Sequence, residues 1–133
     1  LSGTGTFNFL NAVNSTNYYL VFKHRNSLET WSNSFVSFTS GMLTYDFSNS
    51  ANKAYGSNQK IIDSSPVRFA IFSGDINQDE TIDASDVSEI DNDAYNSLSG
   101  YVRTDVTGDN FVDAADVSIV DNNAFNSVSV VRP

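Results

Sequence analysis

The sequence predicts an α+β chain: an N-terminal antiparallel β-sandwich followed by two helices, each entered through a twelve-residue loop. Three observations carry this. Short stretches before residue 73 alternate apolar and polar residues, and none keeps a 3.6-residue period. Two later stretches, Asp75 to Asn96 and Asp105 to Asn126, match each other at an offset of thirty residues. Charge is split between the two parts: 13 acidic residues against one basic, Arg103, from Asp75 to Ser127, but three acidic and five basic before Asp75. The expected organisation is a β module over 1–73 and a second module over 74–133.

In chain order, Thr4 to Phe9 and Met42 to Phe47 alternate aromatic and polar residues. Tyr18 to His24 is apolar on both sides over most of its length. Further candidate strands are Leu28 to Ser32, Ser34 to Thr39, Lys60 to Asp63 and Val67 to Ser73, separated by Asn, Ser and Gly clusters that read as turns. Six or seven strands with two faces to bury make a sandwich the natural solution. In the second module, Val87, Ile90, Ala94 and Tyr95, and again Val117, Val120, Ala124 and Phe125, predict a helix with one buried stripe. Asp83 and Asp113 stand at the N-cap positions, where a carboxylate meets the positive helix end.

Each loop places oxygen side chains at positions one, three, five, nine and twelve, with an apolar residue, Ile82 or Val112, at position eight. A hard cation such as calcium takes six to eight oxygens at roughly 2.3–2.6 Å, so a chain curling around it must offer one about every second residue. Position seven, Thr81 or Phe111, needs only its carbonyl, and the two apolar eighth residues are expected to pair across the loops. Without a cation, like charges about 4 Å apart repel by about 1 kcal/mol in water and about 4 kcal/mol at an effective dielectric of 20. One acidic window reads equally well as a solvated loop. Two in one register, with the same residues following, do not. Two bound ions would move the formal charge from −9 to about −5.

The stretch from Asp75 to Asn126 resembles the dockerin module, a duplicated, EF-hand-like calcium loop and helix of secreted bacterial proteins. The resemblance implies calcium at Asp75, Asn77, Asp79, Thr81 (carbonyl), Asp83 and Asp86, and a second ion at Asp105, Thr107, Asp109, Phe111 (carbonyl), Asp113 and Asp116. Position six, usually Gly, is Glu80 or Asn110 here; Glu enters the left-handed region less readily than Asn, which predicts loop one as the weaker site. The partner-reading positions correspond to Ala84-Ser85 with Asp91-Asn92 and Ala114-Ala115 with Asp121-Asn122. They are acidic and amide-rich where cohesin-docking relatives carry basic or large apolar residues. Gly5 to Phe9, followed by Asn14 to Val21, resembles the middle strand pair of transthyretin-like (Ig-like) modules of bacterial surface proteins. That resemblance implies that one or two earlier strands are missing and an edge is open. The whole chain, a β module carrying the Lys23-His24-Arg25-Asn26 stretch and running into such a calcium tail, is similar to the C-terminal regions of large secreted or surface proteins of bacteria.

Several classes are excluded or disfavoured. No cysteine means no disulfide scaffold and no zinc-thiolate site. No apolar run is long enough for a membrane span, and no leader is expected in this stretch. There is no basic stripe for nucleic acid. His24 is the only histidine, and the acidic residues outside the loop-helix stretches are Glu29, Asp46 and Asp63, too few for a recognisable catalytic pair. Trp31, Tyr18, Tyr19 and Tyr45 would stack a sugar if they shared an exposed face; strand aromatics are more often core. Asn14-Ser15-Thr16 matches a glycosylation sequon. The expectation is a non-catalytic, extracellular or cell-surface module stabilised by two calcium ions. It would be a subunit of a surface fibre or multi-protein assembly, with neighbouring copies of itself or another protein as partner, its open edge completed by strand exchange. The alternative is a docking module for a cohesin-like partner, or a carbohydrate-binding module.

Overall fold

The structure, a computed structural model, describes residues 4–133 and has mixed α+β architecture. Two antiparallel hairpins precede two helices. The first pairs β1 (Val21–His24) with β2 (Ser27–Trp31) around an Arg25-Asn26 turn, with Val21 opposite Trp31 and His24 opposite Ser27. The second pairs β3 (Lys60–Ser64) with β4 (Val67–Ala70), with Lys60 opposite Ala70 and Ser64 opposite Val67. A register irregularity falls within each hairpin. The helices are α1 (Ala84–Tyr95) and α2 (Ala114–Phe125), and they pack against each other.

The strand expectations are met at β1 to β4 and not elsewhere among the described residues. Gly5 to Phe9 and Met42 to Phe47 form no strand, and Ser34 to Thr39 makes only isolated bridges, Val36 to Tyr18, Phe38 to Asn14 and Thr39 to Met42. Alternation marks a segment able to bury one face, but a strand also needs a neighbour for its amides. Phe7 and Phe9 lack one, and they are 67% and 53% exposed.

Both helix starts are as expected. Asp83 and Asp113 cap α1 and α2 by accepting from the amides of Ser85 and Ala115, and Asp86 and Asp116 reciprocate to the cap amides, so each helix opens on a full capping box. Each helix closes on a left-handed residue where glycine is usual. Ser97 (φ 51°) and Ser127 (φ 48°) donate to Ala94 and Ala124, and the next amides, Leu98 and Val128, reach Asp93 and Asn123. The expected buried stripe is corrected at its ends: Tyr95 and Phe125 are each 88% exposed. At about 100° per residue, position 95 stands about 140° around the helix from buried Ile90, and 125 stands likewise from Val120.

The core is one cluster of Leu28, Ile76, Ile82, Ile90, Val112 and Val120, flanked by Phe72, Val87, Val102, Val106, Val117 and Val128. Leu28 belongs to β2, so the expected division at 73/74 runs through a shared core. Gly74 (φ 118°) allows the close approach there: a Cβ would sit 3.2 Å from Val120 Cγ2 and 3.3 Å from Ile82 Cγ2.

Candidate metal centre

Loop one runs from Asp75 to Asp86 and loop two from Asp105 to Asp116, each leading into a helix. In both, the short polar side chains accept from amides two residues on. Asn77 Oδ1 accepts from Asp79, Asp79 Oδ1 from Thr81, and Asp109 Oδ1 from Phe111, at 2.8, 3.1 and 2.9 Å. Asx turns of this kind curl the chain about a centre. Position six adopts the left-handed conformation in both loops, Glu80 at φ 80° and Asn110 at φ 72°, and so does position four, Gln78 and Gly108. The left-handed turn at position six is thus formed in both loops, even where the residue is Glu.

The twelfth residues are wholly buried. Asp86 Oδ1 accepts from Ile76 and Asn77 (2.7 and 3.2 Å) and Oδ2 from Asp83. Asp116 repeats this with Val106, Thr107 and Asp113. Each loop is thus closed on its last aspartate by its own second, third and ninth amides. Asp83 and Asp113 are exposed at the helix entrances. The Ser85 hydroxyl and amide hold the Asp83 carboxyl below its usual range.

The backbones of Ile82 and Val112 bond to other segments and not to each other. Ile82 donates to Val128 O at 2.8 Å and Val112 to Leu98 O at 2.9 Å, so each loop pairs with the segment leaving the other helix. Bridges from Thr81 to Ser129 and Ser99 to Phe111 extend this. The two side chains do meet in the common core. The reason is the Ser97 and Ser127 turns, which bring each chain back beside the opposite loop.

Asp75 and Asp105 are the first residues of their loops, 3% and 2% exposed. Asp105 is fully engaged: Oδ1 accepts from Gly108 and Asp109, and Oδ2 from Asn110. Asp75 is not. Its Oδ1 is buried without a hydrogen-bond partner. Burial pushes its carboxyl up to about 6, helped by the charges of Asp86 and Asp79 and opposed by the Glu80 and Asp79 amides. A buried unpartnered carboxylate oxygen costs stability until a proton or a cation meets it. An all-oxygen donor set with an orphaned carboxylate fits a hard cation. Among the described residues no three His, Cys, Asp or Glu side chains gather as a metal cluster, although eight of the twelve expected donors are aspartates; the Asp86 and Asp116 carboxylates turn onto loop amides instead.

Three contacts at the loops were not legible in the sequence. Gln78 Nε2 donates to Asp75 O at 2.7 Å. Arg25 and Asn26 donate to Asp105 O at 3.1 and 2.9 Å. Arg132 reaches Glu80 of loop one and Glu29 of β2 together. Burial pushes the Glu29 carboxyl up, but hydrogen bonds from Lys23, Trp31 and Arg132 outweigh it and hold the group below its usual range.

The other candidates are dispersed. His24 Nδ1 lies 2.9 Å from Asn26 Oδ1. Tyr18 meets Phe38, Tyr19 meets Trp31 and Phe35, and Tyr45 meets Phe47, so these aromatics make ring contacts in separate groups. Asn14 is exposed, and its Oδ1 accepts from Gly41. Among the described residues no helix is long and apolar enough to cross a membrane. No family model, curated protein or solved structure matches the chain.

Proposed function

We propose that this is a non-catalytic, calcium-stabilised structural module of an extracellular or bacterial cell-surface assembly, with a dockerin-like pair of calcium loops. The observation that carries it is the buried, unpartnered Asp75 Oδ1 at the first position of a duplicated oxygen-rich loop. Calcium at Asp75, Asn77, Asp79, the Thr81 carbonyl, Asp83 and Asp86, and at the matching residues of loop two, would supply the missing positive charge and staple each loop to its helix. The sandwich reading extends this. Phe9, Leu10, Tyr18, Leu20, Val36 and Phe38 line an apolar cleft of about 390 Å³, of which Phe9 and Leu10 are exposed. A strand from a neighbouring copy would cover these side chains and complete the β part. Calcium titration by calorimetry, with electron microscopy of the purified protein with and without calcium, tests both steps. Uptake of two ions and calcium-dependent filaments are expected; absence of uptake would refute the first step, and a monodisperse calcium-loaded monomer at high concentration the second.

A docking role is the second reading. Tyr95 and Phe125 stand equally exposed at matching helix ends, beside polar rows in which Asn92 and Asn122 donate to Ser88 and Ser118 carbonyls. Twin aromatics of this kind suit a protein partner. A one-to-one complex with a cohesin-type protein, abolished by Tyr95→Ala with Phe125→Ala, would favour it over self-assembly.

A further inference from the structure

The two loops are near-twins in sequence, yet the fold surrounds them differently. The side chains of the Arg25-Asn26 turn between β1 and β2 bond to loop two and the segment entering it. Arg25 Nε donates to Val102 O at 3.1 Å, its Nη2 donates to Asp105 O at 3.1 Å, and the same Nη2 stands 3.8 Å from Asp105 Oδ2. The guanidinium carbon sits 3.9 Å above the centre of the Tyr101 ring, which fixes the plane of the fork. Asn26 adds a bond from Nδ2 to Asp105 O, and its carbonyl accepts from the Gly74 amide, so the turn is tied at both loop entrances. A positive charge is thereby set beside the first carboxylate of loop two, both of whose oxygens are also satisfied by amides. The corresponding carboxylate of loop one, Asp75, has an unpartnered buried oxygen, and the neighbouring side-chain donor, Gln78, is neutral and bonds the carbonyl.

We propose that Arg25 takes in loop two part of the place that a bound cation takes in loop one, so that loops alike in sequence differ in their need for calcium. Loop one requires the ion and fills first; loop two is held by the β1–β2 turn and fills second, against the charge of Arg25. This rests on the calcium reading above. It reverses the order expected from Glu80 at position six, because the left-handed turn is formed in both loops while the charge environment is not shared. It also accounts for the Lys23 to Asn26 stretch, through which the β part sets the affinity of one calcium loop.

Calorimetric calcium titration of the full chain tests this. The unaltered protein is expected to show two steps of unequal affinity. Asp75→Asn or Asp79→Asn should remove the tighter step and Asp105→Asn the weaker. Arg25→Gln should tighten the weaker step by about tenfold and leave the tighter one unchanged, since a unit charge beside a divalent ion is removed. Arg25→Lys keeps the charge and loses the fork, so its weaker step should stay within about twofold of the unaltered protein; this variant decides the matter if Arg25→Gln does not fold. The proposal is overturned, with the calcium reading intact, if loop-one variants remove the weaker step, if Arg25→Gln leaves both steps unchanged, or if Arg25→Lys tightens the weaker step as Gln would. No calcium uptake by the unaltered protein overturns both.

Discussion

At Asp75 the chain keeps a carboxylate oxygen buried with nothing to accept from, and its proton affinity is raised to about 6 from 3.8. An acid whose folded pKa lies above its unfolded value binds more protons folded than unfolded between the two values. Its destabilising contribution is therefore largest above about pH 6 and is relieved as pH falls towards about 4. Calcium-free protein should accordingly melt at a higher temperature at about pH 5 than at about pH 7, and saturating calcium should reverse this order, because protons and the ion compete for one carboxylate. Thermal melts in chelator and in calcium check both. Gly74 allows a second prediction of this kind. Its left-handed φ and the core contacts that a Cβ would meet should make Gly74→Ala cost about 2 kcal/mol, readable by urea denaturation.

Both helices end on serine in a conformation that disfavours a Cβ, a strain offset by the two hydrogen bonds that close each end. Glycine removes the strain and keeps the backbone bonds, so Ser127→Gly should stabilise the protein by about 0.5–1 kcal/mol, seen as a rise of a few degrees in Tm. At the opposite end of a helix, Asp83→Ala removes the cap of α1 and should lower the Tm of calcium-free protein by a few degrees. In calcium-loaded protein the loss should be larger, since the same side chain stands at position nine of loop one. The caps were legible because an aspartate standing just ahead of a helical apolar stripe is a local signal. The serine ends were not, since serine carries no preference for the left-handed region.

For the whole molecule, the shared core decides behaviour. Leu28 of β2 is fully buried among residues of the two loop-helix units, and Arg132 near the C-terminus ties Glu29 to Glu80. The two parts should therefore unfold together. Leu28→Ala should cost about 3 kcal/mol and lower the midpoints of Trp31 fluorescence and helical circular dichroism in parallel. Separate transitions for the two signals would contradict the shared core. Calcium removal should destabilise both signals for the same reason.

The α+β class, both helices with their caps, and the two matching oxygen loops follow from the order of residues, because they depend on local spacing: amides two or three residues from a short polar side chain, and a stripe recurring every turn. Four strands were legible on the same ground. It took the folded chain to settle that other alternating segments form no strand, that each loop pairs with the segment leaving the opposite helix, and that Tyr95 and Phe125 face outward. The fold also set the turn carrying Arg25 against one loop and not its twin. Those outcomes depend on which distant groups meet, Arg25 with Asp105 across eighty positions, and spacing along a chain does not encode which of two equivalent loops a charge will find.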